Sequence, residues 1–220
     1  MFELDFRMMI EKTALYSNKF HQYWTQFSRM MSWDETATER LYGLLYHAYQ
    51  EPQRHYHTVQ HILECLELFH EIKNHLNDPI AVELAIWFHD VVYDPQASDN
   101  EEQSAQFMQK HCANIVEKEK LEKVAQWIIA TKKHQATNNH DLNTLLDIDL
   151  AILGSHNSRF TEYEQQIQQE YAWVESELYQ QKRAEVLNHF YQMKPLYQTE
   201  YFRRKFEINA KLNLTARSKQ

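Results

Sequence analysis

From Thr58 onward, Val59, Ile62, Leu63, Leu66 and Phe69 fall at intervals of three and four, which lines one face of a helix. A later segment opens with Asp78-Pro79 and is apolar on nearly every side: Ile80, Val82, Leu84, Ala85, Ile86, Trp87 and Phe88 leave no polar stripe. Such a helix belongs at the centre of a molecule. Asp78 is its N-cap, and Pro79 takes the first helical position, where a missing N–H is no loss. Upstream, Ser32-Trp33-Asp34-Glu35 reads as a capping box for a helix running to about Gln50, before Pro52. Asp94 to Asn100 is a loop, with Asp99 placed to cap the helix behind it. The pattern predicts further helices around Leu121 to Thr131, after the polar loop Gln135 to Asn139, and behind the caps Ser158 and Thr199.

Composition sharpens this picture. Only two glycines, Gly43 and Gly154, and four prolines occur. Hairpin-rich folds need turn glycines, while the Glu, Gln, Lys and Ala filler favours helix, so the chain is read as all-α. No linker, repeat or low-complexity stretch divides its 220 residues. One helical domain over 1–220 is expected, with a core over about 54–154 and C-terminal helices over about 158–212 packed on it. No apolar run approaches the roughly 20 residues of a membrane span. The start, Met1-Phe2-Glu3-Leu4-Asp5, lacks the basic segment of a secretory signal. Cys65 and Cys112 show no C-x-x-C spacing and are read as reduced core thiols, which suggests a cytoplasmic location. A net charge of −8 disfavours extended nucleic acid, though a few local cations still suffice for a small phosphorylated ligand. Assembly with further copies of the chain is compatible with all of this.

The chemistry concentrates at His89-Asp90, at the end of the apolar segment. A histidine and an acid beside buried residues are costly unless something pairs with them. His61 upstream and Asp149 downstream, also on apolar segments, complete a set of two imidazoles and two carboxylates. That mixture suits Mn, Fe, Co, Ni or Zn, with Mg also allowed, and does not select among them. Adjacent side chains cannot point the same way along a regular helix, so the helix must end or distort at His89-Asp90. Singly, each of the four has an ordinary role as a core, surface or capping residue; the combination favours a metal. Arg54 and His57 flank His61 and are candidate phosphate contacts, with His57 expected one helical turn before His61 on the same face. Lys133 and His134 are further candidates for an anionic substrate.

His61, His89-Asp90 and Asp149 resemble the H…HD…D signature of the HD superfamily of metal-dependent phosphohydrolases. Arg54-x-Tyr56-His57-Thr58-x-x-His61, His89-Asp90-Val91-Val92-Tyr93, Asn100-Glu101-x-x-Ser104-Ala105 and Asp147-x-Asp149-Leu150 are similar to a bacterial group within it, as are Tyr171, Arg183, Tyr197-x-Thr199 and Asn209-Ala210. The resemblance implies an all-α fold and one divalent ion per chain on His61, His89, Asp90 and Asp149. It implies that Asp147, the first acid of Asp-x-Asp, supports rather than ligates. It points to Asp90 and Glu101, with Asp94 nearby, as catalytic candidates. The implied activity is hydrolysis of a small phosphorylated molecule, nucleotides included. A non-catalytic binding module is the alternative. Some relatives hold a second metal on extra histidines, for which His134 and His140 are the candidates, and a few are di-iron oxygenases.

Overall fold

The structure, a computed structural model, describes residues 2–217, with side chains from 12 to 215. The chain forms α1 (Phe2–Met30), α2 (Glu35–Ala48), α3 (Val59–Ile72), α4 (Pro79–Phe88), α5 (Asn100–Cys112), α6 (Lys118–Ala130), α7 (His140–Asp149), α8 (Asn157–Glu170), α9 (Ser176–Gln192) and α10 (Glu200–Arg217). Short 3-10 segments, Lys73–His75 and Leu150–Gly154, follow α3 and α7. No strand occurs among the described residues, and the fold is all-α.

Helix α4 is the axis. Every residue from Ala81 to Phe88 is buried, and α3, α5, α6 and α7 pack around it. Trp87 meets the rings of Phe20 and Trp24 edge-on at 5.0 and 5.1 Å, which docks α1 onto α4. One apolar cluster runs from Phe20 in α1 to Leu214 in α10, so the C-terminal helices share the core. Helix α10 crosses the 3-10 segment so closely that a Cβ on Gly154 would lie 2.6 Å from the Phe206 backbone oxygen.

The caps explain the element boundaries. Asp78 accepts from Ala81 N at 3.0 Å and Thr58 from Gln60 N at 3.3 Å. Three sequence expectations shift. Asp34, not Ser32, caps α2, accepting from Ala37 N at 2.7 Å. Ser32 belongs to the turn closing α1, with φ +56, and its N–H bonds Arg29 O. Ser158 lies inside α8, where His156 is the cap. Asp99 precedes α5, but its carboxylate accepts from the Gln103 side chain rather than from the helix backbone. Cys65 and Cys112 are buried and unpaired. Among the described residues no helix is long and apolar enough to cross a membrane.

Candidate metal centre

Three helix termini converge on one point. His61 is in the first turn of α3, His89 is the C-cap of α4, Asp90 follows it, and Asp149 ends α7. Because α4 stops at Phe88, the neighbours His89 and Asp90 turn to the same side. Arg54 holds that turn: Nη1 donates to Asp90 O at 2.6 Å and His57 O at 3.2 Å, Nη2 to Val91 O at 2.9 Å, and Nε to the Glu51 carboxylate at 3.0 Å.

The donor atoms crowd together. His61 Nε2 lies 3.1 Å from His89 Nε2, 3.4 Å from Asp90 Oδ2 and 3.3 Å from Asp149 Oδ1. His89 Nε2 lies 3.0 Å from Asp90 Oδ2 and 3.5 Å from Asp149 Oδ1. Ligands about 2.1 Å from a common ion sit about 3.0 Å apart at octahedral edges and about 3.4 Å at tetrahedral ones. These spacings therefore outline a coordination shell. His89 Nδ1 donates to Ile86 O at 2.9 Å, which fixes the tautomer and leaves the Nε2 lone pair facing the centre. Burial alone would push both carboxyls up and both imidazoles down. Neighbouring groups outweigh it: Cys65 and Tyr56 together with the two acids hold His61, and the two acids hold His89, well above the usual imidazole value, while the imidazoles, with His134 first at Asp149, hold Asp90 and Asp149 well below the carboxylate range. The two imidazolium protons balance the two carboxylates, and a divalent cation would take their place and free both Nε2 lone pairs. The residues fit such an ion.

Cys65 also approaches, but its Sγ is 3.8 Å from both His61 ring nitrogens. It thus flanks the ring instead of extending the Nε2 lone-pair axis. Asp147 is committed elsewhere: Oδ1 accepts from Gln198 N, and Oδ2 from Thr199 N and Oγ1, each at 2.7 Å, so it anchors the start of α10.

The remaining candidates sort by contact. His134, at φ +48 after α6, donates from Nε2 to Asp149 Oδ2 at 2.8 Å. His140 opens α7, is exposed, and lines a separate cleft beside Ile72 and Thr199, so it does not join His134 in a second metal set. The Arg54 side chain is fully sealed from solvent and engaged with the protein; it shapes the turn and does not meet a substrate. His57 is not on α3: Thr58 caps the helix, and His57 stacks on Tyr93 at 4.1 Å just before it. Lys132 and Lys133 are both exposed, but Lys132 bonds Glu102 at 2.7 Å and lines a cavity of about 410 Å³ together with Glu101 and His57. Burial, more than the Lys132 ammonium offsets, raises the Glu101 carboxyl, with Asp90 adding to the shift. Asp94 is exposed and closes its own loop onto Gln96 N.

Helices α8 and α9 form the far wall of that cavity with Tyr163, Tyr171, Tyr179 and Phe190. Arg183 stands over the Tyr163 ring and pairs with Glu164. Sequence reasoning passed over Lys132 and Tyr93 as site residues and gave no role to Glu170. The signal for Lys132 was the Lys132-Lys133-His134 run itself, but only the turn after Ala130 decides which lysine reaches Glu102 and the cavity rim.

Residues 58–172 match the family model of the HD domain, which covers more than half of the chain, and the chain belongs to that family. No curated protein and no solved structure matches it. The matched segment starts at the cap of α3 and ends just after α8, leaving α9, α10 and His57 outside it.

Proposed function

We propose that this HD-domain protein is a phosphohydrolase that uses a divalent transition ion to cleave a phosphoester of a small phosphorylated molecule, nucleotides included. The observation that carries this reading is the set of four donors, His61, His89, Asp90 and Asp149, at separations of 3.0 to 3.5 Å. When bound, the ion would lower the pKa of a coordinated water and polarise a phosphoryl oxygen.

The chain's own residues supply the rest. His134 engages Asp149 Oδ2, which leaves Oδ1 directed at the centre. Glu101 stands in the adjoining cavity with its carboxyl raised, suited to take a proton from the attacking water. The tyrosines of α8 and α9 offer flat apolar faces to the non-phosphoryl part of the substrate. The shared core of all ten helices supports one helical domain, and two unpaired buried thiols accord with a reducing, cytoplasmic setting.

Elemental analysis of protein purified without added metal, paired with phosphoester hydrolysis across Mn, Co, Ni, Mg and Zn, tests the reading. About one ion per chain with metal-dependent turnover is the expected result. Bound metal without turnover on any phosphoester would favour a binding module. A second reading draws on the extra imidazole, His134, against a ligand carboxylate: two irons and oxygenation, which would show as two irons per chain with an absorbance band.

A further inference from the structure

Helix α9 has 17 residues and buries only Leu187. Its other apolar side chains are not scattered. Tyr179, Val186 and Phe190 follow one another at helical spacing with Arg183 between them, so the four share one face. That face lines the cavity beside the metal centre. Val186 on it is still 43% exposed, and Tyr179 and Phe190 are half-buried. Tyr163 and Tyr171 continue the wall, and the Tyr171 ring lies 6.4 Å from that of Tyr179, 34° from parallel. An apolar, aromatic helix face left open to water is costly, and here it bounds a space of small-molecule size.

The cavity has a metal end and an outer end. Phe190 meets His134 edge-on at 6.1 Å, and His134 bonds Asp149 at 2.8 Å, so Phe190 marks the metal end. Tyr179 stands three turns earlier on α9, about 16 Å back along the helix axis. A phosphoryl group at the ion leaves the rest of its molecule running along the stripe toward Tyr179. A bare pentose ends short of that ring, whereas a pentose carrying a flat ring system approaches it.

The cations of the wall come already paired. Lys132 bonds Glu102 at 2.7 Å, Lys182 bonds Glu185 at 2.9 Å, and Arg183 Nε bonds Glu164 at 3.2 Å. Glu101 adds a further acid to the lining. The extra phosphates of a di- or triphosphate would therefore meet matched cations and approach these carboxylates.

We propose that the substrate carries a single phosphate on an uncharged body of nucleoside size with a flat ring system, and that the α9 stripe, with Tyr179 foremost, selects it by stacking. This names the substrate class of the phosphohydrolase reading above and rests on that reading. Sugar phosphates lack the flat face, and polyphosphates bring charge that the wall does not meet.

The probes are the 5′-monophosphates of adenosine, guanosine, cytidine and uridine, with ribose 5-phosphate as the control without a base and the matching triphosphates as the control for charge. The metal-loaded protein should cleave the best monophosphate with kcat/KM at least about tenfold above ribose 5-phosphate and above its own triphosphate. Calorimetric titration with the matching nucleoside, which has no phosphate to cleave, gives a readout independent of turnover. Tyr179→Ala should weaken nucleoside binding by about 5- to 100-fold, and should lower kcat/KM for the monophosphate by more than for ribose 5-phosphate, with metal content near wild type. Should Tyr179→Ala fail to fold, Val186→Glu decides, because it places a charge on the stripe at a position already open to solvent. Equal cleavage of ribose 5-phosphate and the monophosphates, preference for a triphosphate, or unchanged nucleoside affinity in a folded variant would overturn the proposal and leave the phosphohydrolase reading standing. Nucleoside binding that Tyr179→Ala weakens, with no turnover of any phosphoester, would overturn the phosphohydrolase reading and leave the stripe as the binding site.

Discussion

Arg54 Nη1 donates to the backbone carbonyl of Asp90 at 2.6 Å, so the cation meets the ligand's main chain and not its carboxylate. The contact leaves both carboxylate oxygens of Asp90 for the cluster and closes the turn that ends α4. Arg54→Ala should therefore destabilise the protein by about 2–4 kcal/mol, the cost of stranding buried carbonyls around a lost charged donor. Metal affinity should fall with it. Arg54→Lys should not rescue either property, because one ammonium cannot span three carbonyls that a planar fork reaches. Urea unfolding and metal titration check both statements; a Lys variant with wild-type affinity would refute the geometric role.

Asp147 and Asp149 are two residues apart and should behave as opposites. Asp149→Ala, His89→Ala and Asp90→Ala remove a donor from the centre and should abolish stoichiometric metal while far-UV circular dichroism stays near wild type. Asp147→Ala removes the anchor of α10, accepting from Gln198 N and Thr199, and should cost about 2 kcal/mol with metal content unchanged. Metal loss in Asp147→Ala at full folding would show that the acid reaches the ion.

Glu83 sits in α4 and is 4% exposed; burial raises its carboxyl to about 7, with Lys73 offsetting part of the effect. The folded state then holds a proton that the unfolded chain has released, so this group's contribution is full below the unfolded value near 4.5 and fades as pH climbs to about 7. Glu83→Gln should remove that slope and be the more stable protein at pH 8, by up to about 3 kcal/mol. Melting curves of both proteins from pH 5 to pH 8 test it; parallel pH dependence would rule the account out.

The two glycines should respond with opposite signs. A Cβ at Gly154 meets Phe206 backbone at 2.6 Å, and Gly154→Ala should destabilise by about 1–3 kcal/mol as α10 is pushed off the 3-10 segment. Gly43 is an exposed position within α2 with nothing within 4 Å of its Cβ, so Gly43→Ala should stabilise by about 0.5–1 kcal/mol. Denaturant midpoints read out both.

The helices were legible because their signals are short-range. Apolar residues three and four apart and the Asp78-Pro79 start act over one or two turns, and the structure uses them as read. Ser32 misled because Asp34, two residues on, is an equally good cap; the turn closing α1 chose between them. Between Lys132 and Lys133 the choice is likewise made by the turn after α6, which sets Lys132 against Glu102.

The donor set was also present in the one-dimensional pattern, since a histidine and an acid are conspicuous where their neighbours are Phe88 and Val91. What no local pattern contains is the company those residues keep. Arg54 finds its carbonyls 36 and 37 residues away, and Glu170 finds the His57 loop 113 residues away. The chain by itself determined which segments are helices and which side chains carry ligating atoms, because helix propensity, capping and donor chemistry belong to residues and their near neighbours. Tertiary structure alone decided that Arg54 is spent on a turn, that Asp147 anchors a helix, and that a glutamate closing α8 clamps the loop before His61. Those roles are set by hydrogen bonds between segments distant in sequence, and packing around α4 is what brings the segments within reach.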